Sequence, residues 1–201
     1  MDITDLPHRF GAELPAWVAD ELAQAPERLA MDEDRMRLVN TLAARNYVEG
    51  SGGPFAALVM DRSTGRLVSA GVNVVLASGL SSAHAEVMAL SLAQVRLGGW
   101  DLSAGGDHEL VVNWRPCAMC YGAVLWSGVR RLVAAGAGPE LEKLTGFDEG
   151  PVRDDWDEQL IQRGIDVTVD VLRAEAMAVF AAYGEYVEAT GAVVYNARGA
   201  S

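Results

Sequence analysis

Cysteine and positive charge are both scarce in this chain. It has two cysteines in 201 residues, and 16 Lys and Arg against 28 Asp and Glu, for a formal net charge of -12. Two cysteines cannot build the disulfide framework of a small secreted domain. So few cations argue against a nucleic-acid partner, whose affinity would come from neutralising phosphates with Lys and Arg. The nearest approach to a basic cluster is Arg130-Arg131. No apolar run approaches the length needed to span a bilayer, so no membrane partner is expected. The start, Met1-Asp2-Ile3-Thr4-Asp5, lacks the basic and apolar regions of a secretory signal. There is no internal repeat and no low-complexity stretch. Together these absences point to a reducing cytoplasm. What remains is a globular composition, 50% hydrophobic and 22% charged, with a length that suits one substantial domain.

Residues 1–30 carry Pro7, Pro15 and Pro26 around a short helical stretch, Ala16 to Gln24, and read as an N-terminal extension packed on a domain spanning 31–201. Asp32 to Glu49 is the first main helix, with Met36, Val39, Ala43 and Tyr47 on one face. Phe55 to Met60 is apolar on both faces, as in a buried strand, and Arg66 to Val75 is its hairpin partner. A loop from Leu76 to Ala83 leads to a helix from His84 to Leu97, with Ala85, Met88, Leu92 and Val95 as its buried stripe. Strands are expected at His108 to Asn113, Arg131 to Ala135 and Asp166 to Leu172. Helices are expected at Cys117 to Trp126, Asp155 to Gln162 and Ala174 to Ala189, and the stretch from Gly136 to Pro151 reads as loop. Strands alternating with helices after a hairpin imply an α/β fold with a central sheet covered on both faces.

His84-Ala85-Glu86 and Pro116-Cys117-Ala118-Met119-Cys120 carry the chemistry. One imidazole and two thiolates are good zinc ligands. With no third cysteine to close the site, a fourth position stays open for water, as in catalytic rather than structural zinc sites. Zinc brings the pKa of bound water toward neutrality, and Glu86 is placed to carry its protons. A lone C-x-x-C also fits a redox pair or half a zinc ribbon. The upstream H-x-E argues against the first and the missing second pair against the second; a structural or vestigial metal site is the remaining alternative. Both ligand groups fall at expected helix starts, where the helix dipole favours thiolate, and Pro116 suits such a start. His8 and His108 lack metal-ligand spacing. Trp17, Trp100 and Trp156 read as packing residues, whereas Trp114 and Trp126 flank the ligand helix.

H-x-E with P-C-x-x-C resembles the zinc deaminases of the cytidine deaminase superfamily. The stretch from Asn73 to Pro151 is similar to the guanine deaminase-like branch, which acts on free bases and triazines. Asn73 precedes His84 by the branch's spacing, and Gly146-Phe147-Asp148-Glu149 matches its G-F-D-[DE] segment. The resemblance implies a three-layer α/β/α sandwich with a central mixed sheet and the two metal-bearing helices side by side. It implies Zn2+ held by His84, Cys117 and Cys120, with Glu86 and Glu149 as proton carriers and Asn73 as a base-binding residue. The branch forms domain-swapped homodimers whose C-terminal segment covers the neighbouring site. Residues 174–201 could be that swapped helix and lid, with Tyr195 either a substrate contact or a packing residue.

One departure stands out. Guanine deaminases typically have Glu before P-C-x-x-C, where this chain has Trp114-Arg115. A guanidinium donates where a carboxylate accepts, so Arg115 would face a carbonyl or ring nitrogen, unless it points away into a salt bridge. Isoguanine, cytosine, 5-azacytosine and aminotriazines such as ammeline then compete with guanine as the small heterocyclic substrate. The alternatives are a tRNA adenosine deaminase, a riboflavin-type pyrimidine deaminase, for which no reductase domain follows, and a catalytically silent zinc protein working through dimer contacts.

Overall fold

In the computed structural model, which describes residues 7–196, helices α1 (Ala16–Leu22) and α2 (Asp32–Val48) precede a hairpin of β1 (Ala56–Asp61) and β2 (Arg66–Val72). There follow α3 (Val75–Ser78), α4 (Ala85–Leu97), β3 (His108–Val112), α5 (Ala118–Ser127) and β4 (Arg131–Ala134). The chain continues through α6 (Glu140–Thr145), α7 (Trp156–Ile161), β5 (Asp166–Thr168) and α8 (Arg173–Thr190). The sheet runs β2-β1-β3-β4-β5, antiparallel on both sides of β1 and parallel from β3 to β5. It is the expected mixed sheet between two helical layers.

Alternation along β1 divides the core. Ala56, Leu58 and Met60 pack with Met36, Val39 and Leu42 of α2 and with Phe180 of α8, while Ala57 and Val59 pack with Ala85, Ala89 and Ala93 of α4 and Val124 of α5. Trp17 and Val18 of α1 join the first layer. Among the described residues no helix is long and apolar enough to cross a membrane.

The buried face of α4 differs from expectation. Ala85 and Met88 are buried, but with Ala89, Leu90 and Ala93; Leu92 is half-buried and Val95 is 78% exposed. The cause is close approach to β2: a Cβ at Gly71 would collide with the Ala85 carbonyl and come within 2.5 Å of the Ala89 nitrogen. The contact line is therefore the small residues at i, i+4 and i+8, and the bulkier Val95 turns outward.

Two short helices replace expected loop. In α3, Asn73 Oδ1 accepts from the Val75 N–H at 3.2 Å and nucleates the turn. Helix α6 lies between Pro139 and the left-handed Gly146 (φ 75°), the usual asymmetry of helix ends. Strand β2 stops short of Val75, and β5 ends at Thr168, before left-handed Asp170 and Leu172 (φ 65° and 53°) turn the chain away. Trp17 and Trp156 are buried as expected, but Trp100, on the surface after Gly98-Gly99, is 78% exposed and packs no core.

Arg131 does not form a basic surface with Arg130. It bonds Asp32, Thr168 and the fully buried Glu109, which Arg35 also holds at 2.5 Å. This network ties the start of α2 to β3, β4 and β5.

Candidate metal centre and active site

Helices α4 and α5 lie side by side, and their N-termini bring the two motifs together. His84 is the N-cap of α4 and Cys117 the N-cap of α5, both with extended backbone, while Glu86 and Cys120 lie in the first turns. Pro116 precedes the cap instead of opening the helix, because Cys117 itself takes the capping position. The ligand atoms of His84, Cys117 and Cys120 lie within 4.8 Å of one another. Among the described residues no fourth His, Cys, Asp or Glu joins them.

His84 Nδ1 stands 3.5 Å from Cys117 Sγ. Tetrahedral zinc with ordinary Zn–N and Zn–S bonds would separate such atoms by about 3.6 Å. The donor set also suits a soft dication. A hydrogen bond from Cys120 is the main reason the Cys117 thiol falls to about 4, with His84 helping and burial opposing. Cys120 keeps the shared proton and is pushed up. Burial alone would lower His84, but its hydrogen bond with Cys117 and the charges of Glu86 and Cys117 outweigh this and raise it. Three donors, one already ionised, fit zinc.

His84 and Cys117 open onto a cavity of about 610 Å³, with Glu86 and Glu149 also in its wall. Both carboxyls are held above their usual range, first by burial and then by the Cys117 charge; Glu149 reaches about 8. A bound dication would supply the opposite charge and favour their ionised forms. The Glu149 backbone is fastened to the ligand helix, its carbonyl accepting from the Ala118 N–H at 3.0 Å.

Trp114 and Arg115 also line the cavity. Trp114 is 1% exposed, sits edge-on to Phe180 and donates Nε1–H to the Gly138 carbonyl at 3.2 Å, so most of its ring is core. Arg115 Nε is buried without a hydrogen-bond partner, and the guanidinium turns into the wall instead of forming a salt bridge among the described residues. Trp126, by contrast, is 84% exposed.

The tail of the same chain closes the cavity. Asn196 donates Nδ2–H to the Gly146 carbonyl at 2.7 Å and accepts from the Asp148 N–H at 3.0 Å. Between these anchors Tyr195 lies in the wall, 4.8 Å from the Phe147 ring and 6.4 Å from His84. Residues 197–201, the end of the expected lid, fall outside the described residues.

Asn73 is not among the side chains that line the cavity. It is fully buried, with Oδ1 occupied by Val75 and Nδ2 without a partner. Phe55, read from sequence only as the start of a strand, is in the wall. An apolar residue before a buried strand carries no mark that separates ring contact from core.

The fold and this constellation define a zinc-dependent hydrolytic deaminase. Residues 29–136 match the zinc-binding region of cytidine and deoxycytidylate deaminases, and the chain belongs to that family. The guanine deaminase of Nitrosomonas europaea superposes with a TM-score of 0.82 at 43% identity, covering 90% of this chain and 98% of that one. A second solved structure, in complex with 2,6-diaminopurine, is 45% identical over 93% of this chain and 96% of its own, with a TM-score of 0.80. The guanine deaminase of Bacillus subtilis (strain 168) is 32% identical over 125 residues, 62% of this chain and 76% of that one.

Dialysis against a strong chelator is expected to remove the ion and stop ammonia release, and Zn2+ alone should restore it. Turnover by protein shown to be metal-free would remove zinc from the chemistry.

Proposed function

We propose that the protein hydrolytically removes an exocyclic amine from a free nucleobase or related aminated heterocycle, giving the oxo compound and ammonia. The observation that carries this reading is one cavity lined by His84 and Cys117 of the metal-ligand cluster, by the Glu86 and Glu149 carboxyls and by the Phe55, Phe147 and Tyr195 rings. Aromatic walls hold a flat ring, and the carboxylates stand where protons must move. Zinc bound to the cluster would make a nucleophile of water near neutral pH.

Glu86 takes one proton from the attacking water and delivers it to a ring nitrogen, then carries the second, from the added hydroxyl, to the departing amine as the carbonyl forms and ammonia leaves. Glu149 binds the ring edge and serves as a second proton carrier, and the buried, unpartnered Nδ2 of Asn73 is the donor that residue offers to the base. Likeness to guanine deaminases supports this substrate class. The acidic balance and the anchored tail favour a small molecule over a polynucleotide, and a cytoplasmic homodimer is the expected setting. A gel shift with tRNA would count against the small-molecule reading.

Arg115 selects the substrate in this reading. Its N–H groups suit an edge with a carbonyl beside a ring nitrogen, such as O6 and N7 of guanine or the oxo edge of ammeline. Ammonia release should be measured with guanine, isoguanine, cytosine, 5-azacytosine, ammeline and 2,6-diaminopurine. Arg115→Gln is expected to lower kcat/KM at least about tenfold for the favoured oxo substrate, and less for 2,6-diaminopurine, which lacks the carbonyl. Equal losses on both would show that Arg115 does not read that edge; no ammonia from any compound would refute the proposed activity.

A further inference from the structure

Asn46, in the last turn of α2, is fully buried, and its carboxamide joins segments far apart in sequence. Its Nδ2 donates to the carbonyls of Gly53 and Asn73, each at 2.8 Å. From the other side Asn113, just past β3, donates Nδ2–H to the Pro54 carbonyl at 2.9 Å and accepts from the Ala56 N–H at 3.3 Å. Two buried side-chain amides thus grip residues 53–56, where the chain enters β1. A buried amide is costly where its bonds are not made; Asn46 Oδ1 has no partner, and the bonds that the two amides do make all go to one short segment and its neighbour Asn73.

Two parts of the active-site wall, and Asn73 outside the lining, depend on that segment. Phe55 belongs to the wall. Gly52 is packed so closely on Asn73 that a Cβ there would collide with the Asn73 carbonyl and Oδ1. Gly53 lies against the aromatic side, where a Cβ would come within 2.8 Å of Phe147 Cζ and 2.9 Å of Tyr195 Oη. The two glycines therefore act as a spacer, with Asn73 on one side and the Phe147-Tyr195 pair on the other. Neither Asn46 nor Asn113 lines the cavity.

We propose that Asn46, with Asn113 opposite it, is a positioning residue for substrate. The two amides clamp the Gly52-Gly53 spacer and so set the distance between the base-binding Asn73 and the aromatic wall. This rests on the role proposed above for Asn73. The clamp acts on binding of the ring and leaves the metal ligands and Glu86 in place.

A double-mutant cycle tests it. Asn46→Ser and Asn73→Ala are made singly and together in the zinc-loaded protein, and KM, kcat, zinc content and Tm are measured with the best substrate of the panel. Asn46→Ser is expected to raise KM about tenfold, with kcat within about threefold and zinc content unchanged. In the Asn73→Ala background it should raise KM little further, because both changes act through one contact. Additive effects, or an unchanged KM with a lowered Tm, make Asn46 a scaffold residue and overturn the proposal. An unchanged KM in Asn73→Ala alone refutes the role of Asn73, and the clamp proposal falls with it. Where Asn46→Ser does not fold, Asn113→Ser takes its place in the cycle; failure of both to fold assigns the amides to the scaffold and also overturns the proposal.

Discussion

Glu86→Ala should leave zinc bound and reduce ammonia release by roughly 10²- to 10⁴-fold, the usual contribution of a positioned general acid–base group. The effect is expected to be large because Glu86 alone shares the helix start of a metal ligand. Glu86 is 6% exposed in the first turn of α4, two residues after the ligand His84, so its position is set by the same helix start that sets the ligand. Glu149 reaches the cavity from a separate loop. The isosteric Glu86→Gln separates charge from shape: it fills the same space but cannot accept the proton of water. Metal analysis must accompany the kinetics, since a lost ion would imitate a lost proton carrier. Near-parental turnover in zinc-replete Glu86→Gln would sink the assigned role.

Glu109→Ala is expected to destabilise the fold by about 3–5 kcal/mol, the cost of breaking a buried ion pair by removing one partner. In a domain of this size that corresponds to a fall in Tm of roughly 6–20 °C. Glu109 is fully buried on β3 between Arg35 at 2.5 Å and Arg131 at 3.0 Å, and its removal leaves both guanidiniums facing each other with less counter-charge. The network lies at the start of β3 and β4, whereas the metal centre lies beyond their far ends, so kcat of the folded fraction should change little. A Tm within 2 °C of the parent, on the order of 1 kcal/mol or less, would show that the network contributes little. The same network gives an acid limb to stability. The hydrogen bond from Arg131 is the chief reason Asp32 sits below its ordinary 3.8, with burial opposing. Its contribution is complete above that ordinary value and is lost as pH falls through the lowered one.

The metal ligands were legible because their signal is local. C-x-x-C is an i,i+3 pair, which periodicity alone places on one face of a helix start, and His84 and Glu86 are kept close by being two residues apart. Apolar strands and helix-ending glycines were legible for the same reason. Where local and long-range effects compete, the reading was less faithful. Val95 has the spacing of a buried residue on α4, yet Gly71 on a different strand draws the helix close along its alanines and rolls Val95 outward. Trp100 has a core residue's composition but sits on a glycine-rich surface turn. For α6 the same Gly and Pro that suggested loop are the end signals of a short helix.

Sequence by itself determined the donor set, its three possible metal ligands and the carboxyl beside them, since all follow from which side chains exist and how closely they are spaced. It also determined the alternation of strands and helices in outline, through its apolar runs. Tertiary structure alone decided that the starts of α4 and α5 meet, that Arg115 lines the cavity without a salt bridge among the described residues, and that Tyr195 packs on Phe147 in the wall. It also decided that Arg131 is held by Glu109 and that Asn46 reaches both Gly53 and Asn73. Each of these joins residues distant in sequence, and such pairings depend on how whole layers pack, which no local period encodes.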